Sequence, residues 1–121
     1  MKGIEISPDC VCTLKDFAAP LYMSLGEAVG GCIELVNPRG LPAPYCMVVN
    51  DEGLLRGLSF NPVGSYLYET HKHGSPIVGT VVLMKTGFTS SGPDIIGLEE
   101  EDVVCLQKLL FSIFKIKEIR T

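Results

Sequence analysis

The sequence predicts an α+β fold: a small mixed or mostly antiparallel sheet of about five strands with two or three helices, one of them C-terminal. Three observations predict it. Short apolar runs bounded by Gly, Pro, Asn and Asp recur along the chain, as strands require. Leu21, Leu25, Ala28 and Val29 fall at helical spacing and are stopped by Gly30-Gly31. Near the end, Leu106, Leu109, Leu110, Ile113 and Phe114 form a wide apolar stripe of helical period. With 121 residues the chain makes one domain, 1–121, with no internal repeat or boundary.

The first strand is Lys2–Ile6, with Ile4 and Ile6 on one face, closed by Ser7-Pro8-Asp9. Cys10–Thr13 extends it or forms a short partner strand. The first helix covers about Leu21–Val29, and Pro20 fits its first turn, where a missing N–H is harmless. Cys32–Val36 reads as the second strand. Three prolines make Asn37–Pro44 a loop. Tyr45–Val49 is a third strand whose continuous apolar run predicts burial on both faces. Asn50-Asp51-Glu52-Gly53 is a tight-turn signal leading into Leu54–Leu58, which predicts a hairpin.

Asn61 caps a short helix from Pro62 to about Glu69, with Pro62 in the first helical position. Thr70–Ser75 reads as a loop and Pro76–Lys85 as the longest strand, interrupted at Gly79. Gly, Ser, Thr and Pro make Thr86–Gly97 a flexible surface loop. The C-terminal helix runs from about Glu99 to Lys115. Glu99, Glu100, Glu101 and Asp102 sit at its positive end, with Lys108, Lys115 and Lys117 toward the negative end, complementing the helix dipole. So much apolar surface on one helix either closes the core or, through Leu106, Leu110 and Phe114, meets another subunit of a homo-oligomer.

Composition removes several function classes. An apolar share of 46% and a mean hydropathy of +0.31 exclude a disordered tail. A net charge of −4 and a pI near 5.1 argue against nucleic acid as partner, since a phosphate-backbone binder needs a surplus of cations. No apolar run reaches membrane-spanning length, so no membrane is expected. The N-terminus reads as free of an export signal. Five cysteines, an odd number spread over the chain, read as reduced thiols and place the chain in the cytoplasm, of a bacterium or of a cell hosting a foreign genetic element.

The succession Gly30-Gly31-x-Ile33-Glu34-x-Val36, Val49-Asn50-Asp51-Glu52-Gly53, Gly57-Leu58-x-x-Asn61, Ile77-x-Gly79-Thr80 and Leu98-x-x-Glu101-Asp102 is similar to the domain-of-unknown-function family 3846. The resemblance extends from Lys2 to about Phe111. It implies a small protein of phages, plasmids and integrated elements, without an established activity, in the company of genes that often act against host defence. The segment Arg39–Pro44 and the His71-x-His73 loop depart from the family's usual pattern.

Each candidate site has a functional and a structural reading. Asn50, Asp51 and Glu52 could hold a cation or a ligand hydroxyl, or simply make a tight turn. Arg56 and Asn61 beside a helix start could take a small anion, or Asn61 could merely cap. Tyr66, with Tyr68 and Phe60, could stack on a nucleotide base, or anchor the core. His71 and His73 have the i, i+2 geometry of a metal pair, which Cys10 and Cys12 could complete, or are exposed loop residues.

The expected function is a non-catalytic binding protein of a phage or mobile element, without cofactor, that counters host defence. Its target would be a host protein, with the acidic surface at Glu99–Asp102 imitating nucleic acid, or a small anionic, nucleotide-like signal. The alternatives are a small hydrolase using His71 or His73 with Asp51 or Glu52, or a structural module.

Overall fold

The run Tyr45–Asn50 is buried at every residue. Such a strand needs packing on both faces and hydrogen-bond partners on both edges, and the computed structural model supplies both. It describes residues 1–53, 56–73 and 75–121, with the side chains of His71 and His73 outside the description. In chain order the elements are β1 (Lys2–Ile6), β2 (Cys12–Asp16), α1 (Leu21–Val29), β3 (Ile33–Val36), β4 (Tyr45–Asn50), α2 (Pro62–Tyr68), the single turn α3 (Thr70–His73), β5 (Val81–Thr89), β6 (Gly92–Ile96) and α4 (Glu100–Phe114).

The strands form one sheet in the order β2-β1-β5-β4-β3, and all paired strands are antiparallel. Lys85 of β5 pairs with Tyr45 on one side and with Ile96 on the other, so β6 continues the edge that β1 occupies lower down. The fold is α+β, as expected, with six strands rather than about five. Alternate residues of the central strands divide between two cores. Tyr45, Met47, Val49, Val81 and Leu83 face α2 and α4, joining Val63, Leu67, Leu106 and Leu110. Cys46, Val48, Val82 and Met84 face α1, joining Leu25, Val29 and Phe17. At Gly3 the second core comes so close that a Cβ would lie 2.9 Å from Val82 and 3.0 Å from Phe17.

Local signals placed β1, α1, α2 and α4 well. Gly30 ends α1 in the left-handed conformation, at φ 86°. Glu99 and Asp102 close α4 with reciprocal side-chain-to-backbone bonds. Cys10–Thr13 resolves into a turn and the start of β2: the Ser7 N–H donates to Val11 O and the Cys10 N–H to Ser7 O, with Cys10 at φ 65°. The remaining edge of β2 is taken by the chain after α4, where the Leu14 N–H donates to Arg120 O (2.6 Å) and the Arg120 N–H to Cys12 O (2.8 Å).

Four expectations are corrected. The hairpin between Tyr45–Val49 and Leu54–Leu58 does not form, because β3 and β5 already flank β4. Leu54 and Leu55 lie outside the described residues, and Arg56 and Gly57 are in a turn. The strand expected at Pro76–Lys85 begins only at Val81, since Gly79 turns the chain at φ 80° and Val78 bridges to Phe60. Thr86–Gly97 is not a loop but the β5–β6 hairpin, which projects past the helices so that Phe88 is 89% exposed. Thr70–His73 forms one helical turn instead of a loop.

The apolar stripe of α4 closes the core. Leu106 and Leu110 have no exposed surface, so they are not available to another subunit; Phe114 is half-buried and meets Tyr66 edge-on. Leu110→Ala is expected to lower stability by about 2–5 kcal/mol, whereas Phe111→Ala on the exposed side of the same helix shifts it by less than about 1 kcal/mol. Urea unfolding of the two variants checks the contrast.

Candidate functional site

Of the two readings of Asn61, anion ligand or helix cap, the structure shows the cap, and the side chain holds more of the fold besides. It is wholly buried. Its Oδ1 accepts from the Gly64 N–H (2.9 Å) at the start of α2, and its Nδ2 donates to Ile6 O (3.1 Å) and Gly79 O (2.8 Å). One amide thus caps a helix, closes the end of β1 and fixes the turn before β5.

Asn50 and Arg56 meet at the other helix end that the sequence signalled. The Asn50 Nδ2 donates to Val29 O (3.0 Å) and the Arg56 Nη1 donates to Gly30 O (2.7 Å). These are the last carbonyls of α1, where donors and a cation complement the dipole. Asn50 Oδ1 also accepts from the Glu52 N–H, making the tight turn. Tyr66 stands apart on the outer side of α2, 58% exposed, with its ring 5.3 Å from that of Phe114. The five ligand candidates therefore do not converge on one anion site. The weak metal candidates His71 and His73 lie outside the described side chains, and among the described residues no group of three or more His, Cys, Asp or Glu is placed to hold a metal ion.

Asp51 is the candidate that remains open. It borders a cleft of about 420 Å³ between the ends of β3 and β4 and the segment Ser75–Val78, walled by Val36, Val49 and Ile77 and rimmed by Glu34, Asp51 and Glu52. The register that pairs Ile33 with Asn50 brings Glu34 to Asp51. The Asp51 contact, partial burial and mutual repulsion together hold the Glu34 carboxyl above its usual range. Glu34 stands in the family-like succession around Gly30–Val36 but was not read as a site residue; what joins it to Asp51 is the pairing register, which that succession does not report.

A second polar cluster was also missed. Asp102 is buried at the start of α4, where it accepts from the Tyr45 hydroxyl (2.9 Å), the Lys85 ammonium (2.6 Å) and the Glu99 N–H (2.8 Å). Burial pushes its carboxyl up, but Lys85 and the other donors outweigh that and hold it low. Burial and Asp102 push the Tyr45 phenol up, so it keeps its proton. The cluster bolts α4 to the centre of the sheet. Cys12 is equally quiet: burial and the neighbouring Cys10 raise its thiol to about 11, so it is protonated at neutral pH.

A family model matches residues 1–110. The chain belongs to the DUF3846 family, a domain of unknown function. Neither a curated protein nor a solved structure matches it. The span matched to DUF3846 contains every strand, the Asn61 junction and the acidic cleft. Among the described residues no helix is long and apolar enough to cross a membrane.

Two outcomes separate fold-holding groups from the cleft. Asn61→Ala is expected to lower stability by about 2–4 kcal/mol, combining a lost cap with two stranded buried carbonyls, read as a fall in the urea midpoint. For Glu34 the raised folded-state value means that its contribution to stability is present at acid pH and lost as pH rises through that value. Glu34→Gln should therefore melt above the wild type at pH 7, with the difference closing as pH falls toward the ordinary glutamate range; paired melting curves across that interval check the sign.

Proposed function

We propose that this DUF3846 chain is a non-catalytic binding protein that acts by occupying a host protein, and that it serves a phage or mobile element against host defence. The phage or mobile-element origin and the defence target rest on the family resemblance alone. The binding reading rests on one observation, the open cleft whose apolar walls carry the carboxylates of Glu34, Asp51 and Glu52 at the rim. Carboxylates beside an apolar floor select a cationic or hydrogen-bond-donating group and repel an anion. The anionic-signal version is weaker for this chain, since Arg56 and Asn61, which it needs, are bonded to backbone carbonyls. A protein partner presenting Lys or Arg fits the charge of the cleft and the net charge of −4.

Native mass spectrometry of the chain purified from cells that carry it should show a one-to-one complex with a host protein that dissociates as salt is raised. Asp51→Lys should weaken that complex by about tenfold or more while the melting temperature stays at or above that of the wild type, since the change removes repulsion from Glu34. Conversion of a candidate metabolite with multiple turnovers per molecule would overturn the reading.

A further inference from the structure

The cleft adjoins a sheet edge whose hydrogen-bonding groups face outward. The Asp51 N–H donates to Cys32 O across the pair that continues the β3–β4 register, so Glu34 and Val36 are the residues of β3 bonded to β4. The N–H and C=O groups of Ile33 and Leu35 consequently point away from the sheet. Among the described residues nothing pairs with that side of β3, which ends the strand order, whereas the opposite edge at β2 is taken by Arg120. Leu35 is 40% exposed, and β3 carries neither Pro nor Lys, two of the devices that usually blunt an exposed edge.

The geometry points to β3 as the docking edge for an extended basic segment of a partner protein, which adds as a further antiparallel strand and places a Lys or Arg opposite Glu34 at the mouth of the acidic cleft. The inference rests on the binding reading above and names its partner chemistry. Residues directly opposite in an antiparallel pair have their Cβ atoms about 4.5–5.5 Å apart, so the cation lies against Glu34. Asp51 and Glu52, which continue β4, are one strand further away and are approached only by the end of a long Lys or Arg side chain. Ile33 and Leu35 lie on the reverse face of the strand, so the fitting segment alternates cationic and apolar residues. A second copy of this chain fits poorly. In the two-fold register centred on Glu34, Glu34 opposes Glu34, and like charges directly opposite destabilise a pair; in the register centred on Leu35 it opposes Val36 and gains no cation.

The test uses Leu35→Pro. The Leu35 N–H faces outward, so proline there removes a docking donor while leaving the β3–β4 bonds in place, as on natural edge strands; Leu35→Ala is the control that keeps the backbone. The probe is a synthetic peptide of about six residues alternating Lys with Val, titrated by calorimetry against the full chain. The wild type and Leu35→Ala should bind it saturably and more weakly as salt rises. Leu35→Pro should lose about tenfold or more in affinity with an unchanged melting temperature, and Glu34→Gln should lose part of the salt dependence. Equal binding by Leu35→Pro, or no binding by the wild type, overturns the docking edge. A wild type that is dimeric in light scattering while Leu35→Pro is monomeric overturns the basic partner in favour of a second copy. If a host complex seen by native mass spectrometry survives Leu35→Pro, the edge proposal falls and the binding reading stands; substrate turnover removes the binding reading itself.

Discussion

Burial of the β4–β5 pair on both faces is the constraint from which the other features follow. Met47, Val48, Val82, Leu83 and Met84 are fully buried, and successive residues point into different cores. An antiparallel sheet of this kind cannot leave one face to water. The chain therefore needs α1 on one side and α2 with α4 on the other, and the joints that hold those helices decide whether the layers keep their positions. Asn61 is the joint for α2, the Asp102 cluster for α4, and Asn50 with Arg56 for the end of α1. The polar residues that look most functional in the sequence are largely consumed in this way.

The two acidic places in the molecule show how differently carboxylates can be used. Asp102 is paired with Lys85 and bonded by Tyr45 and a backbone N–H, so its charge is compensated within the fold. Glu34, opposite Val49, has Asp51 as its diagonal neighbour on the same face of the β3–β4 pair, with repulsion left over. A fold retains such a repulsive pair at some cost to stability, and a partner's cation is the natural means of relieving it. What sets the cleft apart from the exposed Glu99–Glu101 stretch, where Glu99 likewise holds the Glu101 carboxyl above its usual range, is the apolar wall of Val36, Val49 and Ile77 beside its carboxylates.

Legibility in the sequence followed the range of the interactions. The bounds of β1 and α1 could be read because their signals are local: alternating isoleucines, a helical apolar spacing, a Gly-Gly stop. The strand expected at Leu54–Leu58 failed because a turn signal reports that the chain turns, not which strand pairs with the one before it. β4 took partners from Ile33–Val36 and from Val82–Lys85 instead. The β5–β6 hairpin read as a loop because its tip lies beyond both cores and has no reason to be apolar. At the site, Asp51 was visible in a turn motif while Glu34, its counterpart, was not, since only the pairing register joins them. Asn61 was correctly read as a cap, but its two bonds to Ile6 and Gly79 are long-range and leave no mark on the sequence.

The pairing of Arg120 with β2 gives the sheet a direction. Among the described residues the β2 margin is occupied at Cys12 and Leu14 by the chain's own C-terminal segment, whereas β3 and the outer side of β6 carry no paired strand. Head-to-tail growth into fibres through β2 and β3 requires both of those margins to be open, and the C-terminal segment closes the first. The C-terminal segment thus acts as a built-in terminator at β2, where a strand array cannot be passed on because the chain's own backbone already lies there.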